Sequence, residues 1–230
     1  MGILKQRIVF SILIIFFATS FQAFSANSYR RTFTVMTYNV ENLFDSLHDE
    51  SKDDYTFLPL SRKQTDSEVR AYCASLGNPY YRSQCFDLDW NENVVINKIQ
   101  NIARVIKESG SPDIIVLQEV ENINVLRKLK NIGLSSEGYR ELVLVEGPDK
   151  RGIDVAIMSK LPLVGDVKYH QIDLSPAYEE GETVKLTRGI LEATFNFKGK
   201  RFSVFANHWP SQRNSDETRV IASKTLIKIL

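Results

Sequence analysis

The feature that most constrains the fold is a short, wholly apolar segment at residues 114–117 (IIVL). Such a run is typical of a strand buried on both faces, because a strand with one face in water alternates apolar and polar residues. The preceding segment, residues 93–109, is predicted to be a helix that ends at Gly110 and Pro112. Its apolar residues share one helical face: Val95, Ile99, Ile102 and Ile106. A helix leading into a strand that is covered on both sides indicates a layered α/β fold.

The rest of the chain adds strands on both sides of this unit. Residues 32–40 (TFTVMTYNV) are rich in β-branched and aromatic residues and predict a strand, and a second helix is expected at about 123–131. Residues 197–200 (FKGK) indicate a hairpin, and residues 217–230 a final helix. Five further strands are predicted in YRELVLVE, GIDVAIMSK, VGDVKYHQ, RGILEATFNF and KRFSVFAN. Helices outside two strand layers fit this order better than a doubly wound sheet.

The first 26 residues are predicted to be a signal peptide. Lys5 and Arg7 form a positive region, residues 8–17 form an apolar stretch too short to span a bilayer comfortably, and Ala23-Phe24-Ser25 offers a small-x-small cleavage pattern. The alternative is an uncleaved anchor. Either interpretation predicts export, so we expect a secreted or periplasmic domain over residues 27–230, with no stable membrane association if the signal is cleaved.

Residues 45–90 are polar and irregular in pattern and predict a long surface insertion. They carry the chain's two cysteines, Cys73 and Cys85, which can form a disulfide in an oxidising compartment. Two free buried thiols are the alternative. Six aromatic residues at positions 55–86 could either bind a substrate or pack within the loop: Tyr55, Phe57, Tyr72, Tyr80, Tyr81 and Phe86.

Three predicted strands end in polar side chains. Asn39 ends the first strand, Glu119 follows IIVLQ, and His208 ends VFANHWP. Ligands in α/β proteins bind where a rigid sheet holds such polar tips around a cleft. A carboxylate beside an amide offers the hard oxygen donors that Mg²⁺, Mn²⁺ or Ca²⁺ prefer. Glu119 could instead be a carboxylate at the N-terminus of the next helix, and His208 a structural histidine.

The wording and order of these segments resemble a known family. MTYNVENLFD, LQEVEN, KRGIDVAIMSK and NHWPSQR are similar to successive motifs of the endonuclease/exonuclease/phosphatase superfamily, the group of DNase I and exonuclease III. The resemblance covers about residues 32–230, apart from the 45–90 insertion. It implies a four-layer α/β sandwich of two packed mixed β-sheets flanked by helices, and metal-dependent cleavage of phosphate esters.

The resemblance also implies roles for individual residues. Glu119 matches the glutamate that binds the divalent ion, and Asn39 the asparagine that helps to orient the site. His208 matches the residue that meets the phosphate, where a donor stabilises developing charge or protonates the leaving oxygen. Arg151 lies where the resemblance leads us to expect a basic residue that binds substrate phosphate. The alternative is that Arg151 is a solvent-exposed charge in a turn. The alternation of Asp154 with its neighbours Ile153 and Val155 does not determine which face of the predicted strand the Asp154 side chain occupies.

Two family motifs have no counterpart in this sequence, a Gly-Asp-x-Asn strand and a Ser-Asp-His motif. By resemblance these would supply further metal and water-activating groups, so the domain is expected to be incomplete at its C-terminus and poorly active on its own.

These observations predict a Mg²⁺-dependent phosphodiester hydrolase, a nuclease acting on DNA or RNA. The alternatives are a phospholipid or inositol-phosphate phosphoesterase of the same superfamily, and an inactive binding module. The formal charge of +1 becomes about −1 without the signal, so overall charge does not indicate a nucleic-acid binder. No protein partner is implied.

Overall fold

The computed structural model describes residues 32–230. The predicted signal peptide at residues 1–26 lies outside the described residues. Within the described residues, no helix is both long enough and apolar enough to cross a membrane.

The first sheet has four strands and is mixed. Its strands are β1 (Val35–Leu43), β2 (Ile114–Val120), β3 (Glu141–Leu144) and β4 (Asp154–Ser159), in the spatial order β1-β2-β4-β3. β1 and β2 are parallel, and the other neighbours are antiparallel. The parallel pair brings the carboxyl ends of β1 and β2 to the same edge of the sheet, which is where the polar tips were predicted to meet.

The second sheet is formed by β5 (Lys168–His170), β6 (Ile190–Phe197) and β7 (Lys200–Ala206). Its described strands are all antiparallel, whereas the resemblance predicted a mixed sheet here too. The predicted hairpin joins β6 to β7, with positive φ angles at Lys198 (52°) and Gly199 (82°). Two consecutive positive φ angles define the turn whose twist matches that of paired strands.

The two sheets pack face to face, with helices outside them. The helices are α4 (Glu92–Glu108), α5 (Ile123–Lys128) and α6 (Asp216–Ile229), and a π-helical turn, Leu129–Gly133, follows α5. Alternate residues of β2 serve two cores: Ile115 and Leu117 pack against α4 and α5, while Ile114 and Val116 face the second sheet. A further apolar cluster joins the outer face of the second sheet to α6. This confirms the four-layer α/β sandwich and the doubly buried central strand.

The insertion at residues 45–90 is more regular than its sequence pattern indicated. It folds into α1 (Leu60–Thr65), α2 (Ser67–Ser75) and α3 (Pro79–Asp87). The prediction of an irregular segment was wrong: these short helices are stabilised by caps, by the disulfide and by a small apolar cluster that includes Val69 and Phe86. The Asp66 and Asn78 side chains cap α2 and α3. The Cys73–Cys85 disulfide joins the same two helices.

Candidate functional site

Asn39 and Glu119 meet where β1 and β2 end. Asn39 pairs in register with Gln118, and the ladder is interrupted by a bulge immediately after it. The Asn39 side-chain Nδ2 donates a hydrogen bond of 3.0 Å to Glu119 Oε1. Bulges re-aim side chains at the edges of sheets, and here the bulge directs an amide and a carboxylate toward one point. The two residues predicted as metal ligands are therefore in direct contact.

The backbone around this pair is held in an unusual conformation. Glu41, Asn42 and Glu119 have positive φ angles of 54°, 63° and 65°. The second carboxylate oxygen of Glu119, Oε2, accepts a 3.0 Å hydrogen bond from the Asn42 backbone N–H. Non-glycine residues in this region cost on the order of 1–3 kcal/mol each and cluster at functional sites. The chain sustains this conformation where it fixes the orientation of Glu119.

Glu119 does not act as the carboxylate at the start of the next helix. Asn122 has that position, because its side chain accepts hydrogen bonds from the backbone N–H groups of Asn124 and Val125 at the N-terminus of α5. Glu119 lies within β2 and its side chain points to the edge of the sheet. The structure thus does not support the alternative that Glu119 is a carboxylate at the N-terminus of α5.

His208 lies two residues beyond the end of β7 and faces Glu119. Its Nε2 is 3.6 Å from Glu119 Oε1, too long for a hydrogen bond but close enough for one substrate group to touch both. Its Nδ1 is buried and has no hydrogen-bond partner. Burial and the nearby Arg188 guanidinium lower the pKa of His208 to about 4, although Glu119 opposes this shift. A buried ring atom without a partner is unusual for a purely structural histidine.

A buried ion pair supports the loop that carries His208. Arg188 Nη1 donates to Asp149 Oδ2 at 2.7 Å, and Arg188 Nη2 donates to the His208 carbonyl at 3.3 Å. Burial alone would raise the pKa of Asp149, but the Arg151 and Arg188 guanidinium groups hold it below its usual range. Sequence reasoning missed both Asp149 and Arg188, although an aspartate two residues before the predicted substrate arginine was an available signal.

Arg151 lies at the mouth of the same site. Its guanidinium donates two hydrogen bonds to Asp149, of 3.2 Å from Nε and 3.1 Å from Nη2, and its side chain is 62% exposed. The structure thus places this residue beside the predicted site, and its role in binding substrate stays a prediction. Asp154, whose direction the sequence did not fix, points away: its Oδ1 accepts from the Gly147 N–H at 2.9 Å. Burial raises the pKa of Asp154 to about 6.

The site opens into a cleft of about 790 Å³. Residues of four segments line it: the end of β2, the loop before β4, the loop before β6 and the segment after β7. The charged lining residues are four basic side chains and two acidic ones, namely Lys150, Arg151, Lys185, Arg188, Glu119 and Asp149. His208 lies among them. A cleft with this charge balance attracts anions even though the chain as a whole is nearly neutral.

The donors at this edge suit a divalent cation held by few protein ligands. In residues 32–230, no three His, Cys, Asp or Glu side chains are arranged to hold a metal ion together. Glu119 supplies one carboxylate, Asn39 turns its Nδ2 toward that carboxylate, and the Asn39 Oδ1 accepts a 2.8 Å hydrogen bond from the Glu41 backbone N–H. Mg²⁺ is usually bound by one or two carboxylates together with water and substrate phosphate oxygens. The residues present therefore fit Mg²⁺ better than an ion that needs a complete protein cage.

The two-sheet α/β sandwich brings a carboxylate, an amide and an imidazole together at one strand-end cleft. A family model described as "Endonuclease/Exonuclease/phosphatase family" matches residues 81–230. The chain belongs to this family, whose members are phosphoester hydrolases that include nucleases and phosphatases and generally use divalent metals. No curated protein matches the chain.

Several solved structures are similar to parts of this chain. One is an endonuclease/exonuclease/phosphatase from Beutenbergia cavernae, 23% identical, covering 57% of this chain and 37% of its own, with a TM-score of 0.46. A humanized D. rerio TDP2 is 19% identical and covers 60% of this chain and 53% of its own, with a TM-score of 0.43. ANGEL2, a 2′,3′-cyclic phosphatase, is 16% identical and covers 85% of this chain and 46% of its own, with a TM-score of 0.49. This chain thus spans about a third to a half of their lengths.

Proposed function

We propose that this protein is an exported, Mg²⁺-dependent phosphodiester hydrolase, a nuclease that cuts DNA or RNA with water as the nucleophile. The observation that supports this best is the meeting of three side chains from separate parts of the sequence. Asn39 Nδ2 lies 3.0 Å and His208 Nε2 3.6 Å from the same oxygen, Glu119 Oε1. A carboxylate, an amide and an imidazole at this spacing can share one cation and one phosphate.

Each residue has a defined task in this proposal. Glu119 would hold the cation, which when bound polarises a phosphoryl oxygen and lowers the pKa of a bound water. The hydrogen bonds from Asn39 and from the Asn42 backbone keep the Glu119 carboxylate in one orientation before substrate arrives. His208 presents a ring nitrogen toward the same space, where an N–H donor stabilises the charge that develops on the phosphate oxygens.

The lining of the cleft supports a polyanionic substrate. Arg151 has a largely exposed guanidinium that can reach a phosphate in a bidentate manner. Lys150 and Lys185 add positive charge at the same opening. A lipid-directed enzyme would instead need an apolar lip. Among the described residues that line the cleft, only Leu186 is a large apolar side chain that is mostly exposed. Nucleic acid is therefore the preferred substrate class.

The disulfide supports export to an oxidising compartment. Cys73 and Cys85 are bonded in the structure, and such bonds persist in secreted and periplasmic proteins but are rare in the cytosol. This agrees with the signal peptide predicted at residues 1–26. We therefore place the proposed nuclease outside the cytoplasm, acting on nucleic acid without a protein partner.

A plasmid-nicking assay tests the proposal. Protein that carries the complete family domain should convert supercoiled plasmid to nicked circles in Mg²⁺ and should not do so in EDTA. Glu119→Gln should abolish the Mg²⁺-dependent cleavage. The matched control is Glu121→Gln, the same chemical change two residues away: Glu121 is 2% exposed, and its carboxylate accepts a hydrogen bond from the Asp45 backbone N–H. Equal cleavage by wild type and Glu119→Gln would contradict the proposal.

A further inference from the structure

Two tyrosines at the start of α3 are left on the surface of the insertion. Tyr80 and Tyr81 are 64% and 44% exposed, and their rings lie edge to face with centroids 5.4 Å apart. The other four aromatic residues at positions 55–86 are packed: three of them surround the disulfide core, and the fourth stacks on the main core. They are Tyr55, Tyr72, Phe86 and Phe57. The structure therefore separates two aromatic side chains available for binding from four that serve packing.

This tyrosine pair is linked to the segment that carries His208. Arg213 Nη1 donates a 3.0 Å hydrogen bond to the Tyr81 hydroxyl, although 132 residues separate them in the sequence. Arg213 lies in the loop after β7, between Ser211 and Asn214, which both line the cleft. The Tyr81 ring is thereby held beside the rim of the cleft rather than at a distant surface.

The tyrosine pair, Tyr80 and Tyr81, forms a platform that is rigid before anything binds. The Asn78 side chain caps α3, Pro79 occupies its first turn, and the disulfide at Cys85 fixes the helix to α2. Gln84 Nε2 donates to the Tyr80 hydroxyl at 3.0 Å. Ordering the rings in advance lowers the entropic cost of binding a flat ligand.

The charge of Arg213 indicates which ligand fits. Arg213 is exposed, and no carboxylate of residues 32–230 pairs with it within salt-bridge distance. Unpaired nucleobases stack on aromatic side chains while arginine contacts the adjacent backbone phosphate. A membrane-binding surface would instead surround the rings with apolar residues. Here the neighbours along α3 are polar: Arg82, Ser83 and Gln84.

We propose that Tyr80, Tyr81 and Arg213 form a stacking site for an unpaired base of the nucleic-acid strand whose phosphate enters the cleft. This inference rests on the proposed nuclease function and narrows its substrate class to single-stranded nucleic acid or the single-stranded parts of a duplex. The bases are bound without sequence preference, because every base has an aromatic face.

Fluorescence anisotropy with a labelled single-stranded oligonucleotide tests this site in the full chain. Replacing both tyrosines by alanine should weaken binding at least about 10-fold, since each stacked base contributes roughly a 5- to 150-fold change in affinity. Replacing both by phenylalanine keeps the rings and should keep the affinity within about 2-fold. Arg213→Gln should reduce the slope of log affinity against log salt by about one phosphate contact. Both tyrosines are exposed, so circular dichroism should show all variants folded.

Hydrolysis of bis(4-nitrophenyl) phosphate separates this inference from the proposed function. The double alanine variant should hydrolyse this small phosphodiester at the wild-type rate, because the compound is too short to reach the platform. If wild type neither hydrolyses it nor nicks plasmid, the proposed function fails. If wild type is active but the double alanine variant binds the oligonucleotide as tightly as wild type, the stacking site alone is refuted. Loss of binding to phosphatidylserine vesicles, with oligonucleotide affinity unchanged, would also refute it in favour of a membrane surface.

Discussion

Removing Asp149 should destabilise the protein far more than removing the exposed arginine that also contacts it. Asp149 and Arg188 are 5% and 7% exposed, and their charged atoms lie 2.7 Å apart. Asp149→Ala leaves the Arg188 guanidinium buried without a counter-charge, and breaking such a pair costs about 3–5 kcal/mol. Arg151 contacts the same carboxylate but is 62% exposed, so Arg151→Ala should cost less than about 1 kcal/mol.

Urea unfolding of the oxidised protein, followed by tryptophan fluorescence, measures these differences. The double variant Asp149→Leu with Arg188→Met removes both charges together and should be less destabilised than Asp149→Ala, because no unpaired charge remains. If Asp149→Ala costs no more than Arg151→Ala, the buried ion pair does not contribute as the structure indicates.

The same ion pair predicts a pH dependence. The pKa of Asp149 is lower in the folded protein than its ordinary value of 3.8. A lowered carboxyl pKa contributes stability that is complete above the unfolded value and is lost as the pH falls through the folded value. The difference in unfolding free energy between wild type and Asp149→Ala should therefore be constant near neutral pH and shrink below about pH 4. A difference that grows on acidification would contradict this assignment.

Three further changes test other parts of the structure. His208→Ala should lower turnover on a phosphodiester by about 10²–10⁴-fold, and unchanged turnover in a steady-state assay would return this residue to a structural role. Gly189→Ala should lower the free energy of unfolding by about 1–3 kcal/mol, because the added Cβ would clash with the His170 backbone carbonyl oxygen and lie 2.7 Å from the Tyr169 ring; an unchanged urea midpoint would show that the backbone and the ring can both shift. Replacing Cys73 and Cys85 together by serine should cost about 2–4 kcal/mol and speed proteolysis within residues 45–90, whereas equal cleavage rates would show that the disulfide does not hold the insertion together.

The layered fold was predictable because its strongest sequence signals are local. The apolar run at 114–117 and the helical face at 93–109 became a doubly buried β2 and its covering α4. The strand predicted in KRFSVFAN follows the same rule: Phe202 and Val204 face the other sheet, while Phe205 packs toward α6. Burial on alternate faces leaves a period of two that can be counted without knowing which elements pack together.

Other parts of the structure depend on contacts between distant residues. The Asp149–Arg188 pair joins residues 39 positions apart, and the Tyr81–Arg213 contact joins residues 132 apart, so neither leaves a local pattern. The helices of the insertion were missed for a different reason. Their signals were short: Asn78 precedes Pro79 at the start of α3, and the apolar positions of α2, such as Val69 and Cys73, extend over only two turns. Local periodicity in the sequence therefore predicts the layers of the fold. Contacts between residues on different loops can be identified only once the folded structure is known.

The central claim is that Glu119, oriented by Asn39, binds a divalent cation beside His208. Mn²⁺ binding followed by electron paramagnetic resonance tests it without requiring turnover. Wild type and Glu121→Gln should both bind Mn²⁺, and Glu119→Gln should lose at least about 10-fold in affinity, the usual effect of disturbing a metal site. Equal Mn²⁺ affinity for wild type and Glu119→Gln would contradict the account.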